Sequence, residues 1–162
     1  MPDMLVPLYR SGEWKDRKAA LAENGIAIRN AIAPERAPVV KWIYERFGDR
    51  WASEAECAFS KTPTTILVAQ RGAEMLGFAC FDTTALGFFG PTGVDEKQEG
   101  QGIGTALLIE TLKAMQARGY AYGVIGGAGP VGFYERVVNA IAIPDSVPGI
   151  YADILRLPQD AE

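Results

Sequence analysis

The chain has 162 residues, 48% hydrophobic and 22% charged, with a formal net charge of −4, which suits one folded domain with a buried core and is short for two. Its Lys and Arg residues are scattered singly, so no basic stripe exists to neutralise a phosphate backbone and a nucleic-acid partner is not expected. Histidine is absent, which excludes Ser-His-Asp and Cys-His catalysis and leaves a carboxylate, tyrosine, lysine, amine or relayed water as general base.

The opening stretch MPDMLVPLYRSGEWK carries an early acid and lacks the apolar core of a signal peptide. Leu5 to Tyr9 reads as a short edge strand, and Trp14 to Glu23 as a helix stopped by Asn24-Gly25. Residues 1–25 are read as an N-terminal extension packing on a single domain that spans 1–162. Ile26 to Arg29 alternates apolar and polar residues as a strand does. Pro34 opens a helix through Val39, Trp42, Ile43 and Phe47, Gly48 breaks it, and a second helix runs from Trp51 to Ser60.

Thr64 to Gln70 and Met75 to Phe81 are β-rich runs joined at Arg71-Gly72, a hairpin signal. Cys57 and Cys80 lie in the apolar contexts ECAF and FACF and read as buried, reduced thiols. With two cysteines and no histidine, no metal site is expected. Leu86 to Val94 (LGFFGPTGV) is a third run, in which Pro91 cannot donate to a ladder, so a bulge or unpaired edge belongs there.

Then comes EGQGIGTALL, with three glycines in five positions, Gly100, Gly102 and Gly104, ahead of an amphipathic helix carrying Ile103, Leu107, Leu108, Leu112 and Met115 on one stripe. Gly119 sits where a C′ glycine ends that helix. A helix start stripped of Cβ atoms offers unpaired N–H groups and the positive end of the helix dipole to an anion. A tight strand-to-helix turn with close packing accounts for the glycines equally well. The dinucleotide fingerprint G-x-G-x-x-G fails, because its sixth position is Thr105 or Leu107, and no Gly-Lys-Ser/Thr of a phosphate-binding P-loop occurs.

Tyr120 to Ile125 is the next strand. The apolar stretch from Tyr120 to Tyr134 holds five glycines and a proline and is shorter than a bilayer span of roughly 20 residues. The expectation is a soluble, cytoplasmic protein with no membrane partner. Gly129-Pro130 introduces a short helix through Tyr134 and Arg136. Ala140 to Ile143 and Tyr151 to Leu155 are strand-like pieces around the turn-rich PDSVPG.

Val94 through Leu108, VDEKQEGQGIGTALL, resembles the acyl-CoA-binding signature Gln/Arg-x-x-Gly-x-Gly/Ala of the GNAT superfamily of N-acetyltransferases. The order of elements agrees over roughly residues 26–155. The resemblance implies an α/β (α+β) fold: a mixed, mostly antiparallel central sheet with helices on both faces, its strands splayed at the acyl-CoA site. It also implies acetyl-CoA as co-substrate, with no metal. The pyrophosphate would lie on backbone N–H groups of Glu99, Gly100, Gln101, Gly102, Ile103 and Gly104 and on the Thr105 hydroxyl. Thr92, Gly93 and Val94 would pair with the pantetheine arm. Glu99 stands at the Gln/Arg position, a carboxylate beside a polyanion.

Acetyl transfer to an amine needs a proton for a thiolate whose pKa is about 8.5, which a tyrosine can supply. Tyr134 in GFYERVVNA matches the superfamily position for that acid, and Asn139 is the expected left-handed cap of its helix. Candidate bases are Glu54, Glu56 and Asp82; the first two lie two apart on a helix and cannot both face one pocket. Trp51, Phe88 and Phe89 are candidate linings of the acceptor pocket, along with Asp82. The walls that choose the acceptor come from Trp51 to Thr64 and Pro144 to Tyr151. The acceptor would be an amine on a small molecule or an exposed amino group, and a homodimer is open. Two other readings stand beside the enzyme: a catalytically silent acyl-CoA-binding or sensing module, and a nucleotide-binding domain, which the failed motifs disfavour.

Overall fold

A computed structural model describes residues 1–158; residues 159–162, the end of the expected domain, lie outside the described residues. The chain forms strand β1 (Met4–Pro7), helix α1 (Lys18–Glu23), strand β2 (Ile26–Asn30), helices α2 (Arg36–Phe47) and α3 (Asp49–Phe59), and strands β3 (Ile66–Arg71), β4 (Glu74–Phe81) and β5 (Phe88–Val94). Helix α4 (Ile103–Ala117), strand β6 (Tyr122–Ile125), helix α5 (Val131–Val138) and the two-residue strand β7 (Ile141–Ala142) complete it. Among the described residues no helix is long and apolar enough to cross a membrane.

One seven-stranded sheet runs in the order β2-β3-β4-β5-β6-β1-β7. Every pairing is antiparallel except that of β5 with β6. The expected mixed, mostly antiparallel sheet is therefore present. Strand alternation sends Ala79, Phe81 and Phe89 to one face, and the irregularity opposite Ala69 and Gln70 brings Leu76 to it as well; α4, α5 and α1 bury them with Ile103, Leu107, Leu112 and Val138. Ile66, Val68, Phe78 and Cys80 face the other way, under Val39 and Ile43 of α2 and Ala52, Ala55 and Phe59 of α3.

Several expectations need correction. The N-terminal strand is not at an edge: β1 pairs with β6 on one side and β7 on the other, and Met4 and Val6 are fully buried. Leu8–Glu13 is 3₁₀ helix, and α1 begins only at Lys18. Trp14 is buried instead of opening the helix, and its indole N–H donates to Asn139 Oδ1 at 3.2 Å. Tyr151 to Leu155 is not a strand. Tyr151 ends a 3₁₀ turn, Asp153 has φ 56°, and Leu155 is 94% exposed. The physical reason is that β1 already occupies the ladder beside β6. Cys57 is half-buried, while Cys80 is buried as expected; both are free thiols.

Candidate active site

The parallel pair β5/β6 is a fork. Phe88 pairs with Val124 and Phe89 with Ile125, and no residue of β5 beyond Phe89 pairs with β6. On its other side β5 stays with β4, with one irregularity: Phe89 opposes Phe81 and Thr92 opposes Ala79, so two residues, Gly90 and Pro91, face the single Cys80. That is the bulge expected at Pro91; it turns β5 away from β6.

Beyond the bulge, Asp95 N–H donates to Leu76 C=O at 2.9 Å and Gly93 sits opposite Phe78. Alternation along the strand then turns the N–H groups of Thr92 and Val94 away from β4, into the open fork. Gly93 lets β5 lie against α2: a Cβ there would sit 2.5 Å from Phe47 Cζ. Asp82 pins the closed end of the fork. Its carboxylate accepts from Tyr120 Oη at 3.0 Å on both oxygens and from Gly87 N–H at 2.7 Å, and Gly87 C=O receives the Val124 N–H at 2.8 Å. With its oxygens so engaged, Asp82 is a brace of the β4–β5 turn.

The start of α4 lies at the far end of β5. Gly100 and Gly102 have φ 83° and 87°, a left-handed conformation that glycine adopts without steric cost. No side chain caps this helix. Among the described residues, no N–H from Gly100 to Thr105 has a hydrogen-bond acceptor. Those unpaired donors, with the dipole behind them, fit a phosphate group closely. Glu99 is exposed, and its N–H already donates to Glu96 C=O at 3.4 Å, so of the expected backbone donors Glu99 alone is engaged within the loop. Gln101 is exposed and accepts from Arg71 at 3.4 Å.

The candidate proton-transfer groups lie on opposite faces of the sheet. Tyr134 lies on α5 in the α4-side core, 7% exposed, and its hydroxyl has no hydrogen-bond partner among the described residues. Burial raises its pKa above the ordinary phenol value. Asn139 takes the left-handed cap expected of it, φ 59°. Glu54, on α3 across the sheet, is half-buried and accepts from the Thr84 hydroxyl and, at 3.5 Å, from Thr83. The same Thr83 hydroxyl lies 3.2 Å from Gly90 C=O, so its one proton is shared between Glu54 and the bulge. Burial raises the Glu54 carboxyl above the ordinary range, against the lowering effect of the two threonines.

Glu56 does not join it. One hundred degrees per residue carries Glu56 to the outer surface of α3, 3.9 Å from Arg36. Trp51 stacks on Phe47 with centroids 4.9 Å apart and meets Phe78 edge-on at 6.1 Å, so it serves the aromatic layer beneath α2 and α3. Phe89 is only 2% exposed and packs in the α4-side core, away from any pocket wall. Phe88 turns to the other face, where its ring approaches Gly126.

Two residues near the fork carried no signal as catalytic or pocket side chains, Thr83 and Thr84, while Tyr151 ends a segment expected to wall the acceptor. The segment Pro144 to Tyr151 is strapped down by the N-terminus. Asp3 N–H donates to Ser146 Oγ at 2.9 Å, Ile143 N–H to Asp3 C=O at 2.8 Å, and Gly127 N–H to Asp3 Oδ1 at 2.8 Å. The strap brings the Tyr151 hydroxyl against Gly126, beside Phe88, so that a Cβ at residue 126 would collide with it. Burial, then the charges of Asp3 and Glu54, push its pKa up to about 12. Tyr151 therefore presents a neutral phenol beside Phe88. Among the described residues no cluster of potential metal ligands occurs.

A sequence model of the Acetyltransferase (GNAT) family matches residues 29–138. Among curated protein sequences none matches the chain. Among solved structures, the GCN5-related glucosamine N-acetyltransferase region of a fungal multi-domain GH3 β-N-acetylglucosaminidase superimposes with TM-score 0.70 at 15% identity, over 88% of this chain and 19% of that one. A GCN5-related N-acetyltransferase from Sphaerobacter thermophilus gives 0.64 at 19% identity, over 88% of this chain and 48% of that one. A GNAT family acetyltransferase from Brucella melitensis, solved with acetyl-CoA, gives 0.51 at 22% identity, over 68% and 80%. The chain thus spans less than half the length of the first two, and likeness at these identities speaks for the fold.

Proposed function

The chain belongs to the GNAT acetyltransferase family, and from that premise we propose that it is an N-acetyltransferase domain, over residues 1–162, moving the acetyl group of acetyl-CoA to a primary amine. The observation that carries this reading is the fork: unpaired amides of Thr92 and Val94 face its opening, and the uncapped start of α4 lies at its end. The six donors from Gly100 to Thr105 would hold the CoA diphosphate, with the Thr105 hydroxyl beside them.

Each step of acetyl transfer has a group to serve it. Glu54 takes a proton from the acceptor ammonium, and its raised pKa makes it a better proton acceptor than an ordinary glutamate. The amine nitrogen bonds to the thioester carbon from the α3 side of the sheet. Thr92 or Val94 N–H donates to the carbonyl oxygen as negative charge grows there. The carbon–sulfur bond breaks, Tyr134 gives its proton to the departing sulfur from the α5 side, and the second proton that the nitrogen sheds on becoming an amide restores the Tyr134 phenol through solvent. Glu54 and Asp3, with the neutral Tyr151 between strap and sheet, make the acceptor side negative and favour a cationic amine on a small molecule or an exposed amino group. The two unbridged thiols suit the reducing cytoplasm.

Free-thiol release from acetyl-CoA across a panel of primary amines tests the reading, with calorimetry of CoA binding alongside. CoA binding with amine-dependent thiol release supports it. Binding without release by any amine points instead to the silent acyl-CoA module, the reading that the acidic Glu99 beside the phosphate seat favours. The same experiments at varied protein concentration report whether a homodimer is the active form.

A further inference from the structure

The seat at the start of α4 contains an acid, Glu99, and no arginine of its own. An arginine from elsewhere in the chain nonetheless packs against it. Arg17 precedes α1, in the N-terminal segment outside the family match at 29–138. Its stem crosses the cap residue of α4: Cγ, Cδ and Cβ stand 3.5, 3.7 and 3.8 Å from where a Cβ on Gly102 would be. The left-handed Gly102 shapes the turn, and the Arg17 stem lies at ordinary van der Waals distance from it.

The flanking residues fix Arg17 in that position. Asp16 pairs with Lys113 at 3.0 Å and Lys18 with Glu110 at 3.5 Å, so the start of α1 is fastened to α4 on both sides of Arg17. Those pairs neutralise their own charges. Arg17 itself makes no ion pair among the described residues and is exposed. Of the other charged groups near the seat, Arg71 already donates to Gln101, and Glu96, Lys97 and Glu99 are exposed around the loop. An unpaired arginine whose stem lies on the cap residue, next to six unpaired amides, is an arrangement that an approaching phosphate satisfies, because the guanidinium fork matches two phosphate oxygens.

We propose that Arg17, supplied by the N-terminal segment, clamps the diphosphate of CoA against the start of α4 and provides the cation that the signature loop lacks. The proposal rests on the acetyl-CoA reading above. It makes the N-terminal segment part of the co-substrate site as well as a strand of the sheet.

Calorimetry of the full chain with CoA and with dephospho-CoA tests it, at 20 mM and 500 mM salt as chosen conditions set by screening lengths of roughly 20 Å and about 4 Å. Arg17→Ala should weaken both ligands by about tenfold at low salt, equivalent to about 1.4 kcal/mol, and by much less at high salt. Its thermal midpoint should match the parent's, since the side chain is exposed. Arg17→Lys should recover part of the affinity, and Glu99→Arg in the Arg17→Ala background should restore it. Unchanged low-salt CoA affinity in Arg17→Ala would overturn the proposal. So would a loss confined to CoA and absent with dephospho-CoA, which would move the contact to the 3′-phosphate. A parent protein that binds neither ligand overturns the acetyl-CoA reading itself, an outcome separate from either of these.

Discussion

Replacing Gly93 by alanine probes the piece of backbone on which the proposed thioester site depends. The new Cβ would stand 2.5, 2.7 and 3.1 Å from Cζ, Cε2 and Cε1 of Phe47, where carbon atoms prefer about 3.5–4.0 Å. The ring must retreat by roughly 1 Å to restore that spacing. It has little room, with Trp51, Phe78 and Trp42 centred 4.9, 5.9 and 6.1 Å away. Overpacking of this kind costs about 1–3 kcal/mol. Against it stands the gain of about 0.4–1 kcal/mol expected when alanine replaces a glycine of ordinary φ and restricts the unfolded chain. The clash wins, leaving a net loss of about 1–2 kcal/mol and a fall in midpoint of about 2–8 °C at this chain length. Thermal unfolding followed by circular dichroism measures it. Phe47→Leu in the same chain should relieve the clash, so the double variant should be more stable than the sum of the single effects by about 1 kcal/mol. A stabilised Gly93→Ala protein, or strict additivity with Phe47→Leu, would refute the packing of β5 against α2.

Three further outcomes follow from the site. Tyr134→Phe should lower kcat by about 10²-fold, the lower range for loss of a general acid, with CoA affinity by calorimetry within about twofold of the parent; equal loss of both would make the tyrosine structural. For Glu54 the base form is the active one, and burial raises its pKa, so activity should fall as pH drops through a value above the ordinary glutamate range. In Glu54→Gln a pH–rate profile should show that acid limb gone and kcat lower throughout; an unchanged limb would assign the base elsewhere. Asp82→Ala loses the bonds from Tyr120 and Gly87 and puts alanine at φ 56°, a cost of about 2–4 kcal/mol in denaturant unfolding. Asp82→Asn keeps one acceptor oxygen and tolerates that φ, so it should lose less than half as much; equal losses would contradict the bracing role.

Local chemistry made much of the fold legible. The β3–β4 hairpin turns at Gly72, φ 57°, as its Arg71-Gly72 turn signal requires. Helix α4 starts at the glycines and ends before Gly119, and the Pro91 bulge appears where a proline inside a strand demands one. The errors came from non-local pairing. Nothing in MLVP says whether it forms an edge or an interior strand; that is decided by β6, whose free side β1 covers before any later strand can. Ile154 and Leu155 are apolar enough for a strand but find no partner and stay exposed. The same limit applies to the site. The glycine seat is a contiguous motif and could be read. Glu54 could be separated from Glu56 only once Thr83 and Thr84 lay against it, and Tyr151 and Arg17 reach the fork and the seat through contacts spanning many residues.

The central claim is that acetyl-CoA lies in the β5/β6 fork with its diphosphate on the start of α4. Titration of acetyl-CoA into the isotopically labelled chain, followed by amide ¹H–¹⁵N spectra, tests it most directly. The account predicts the largest shifts at Thr92, Val94 and Gly100 to Thr105, with smaller ones along α5 near Tyr134. Shifts concentrated instead in the groove between α2 and α3, around Val40, Tyr44 and Ser53, with the α4 start unmoved, would contradict it.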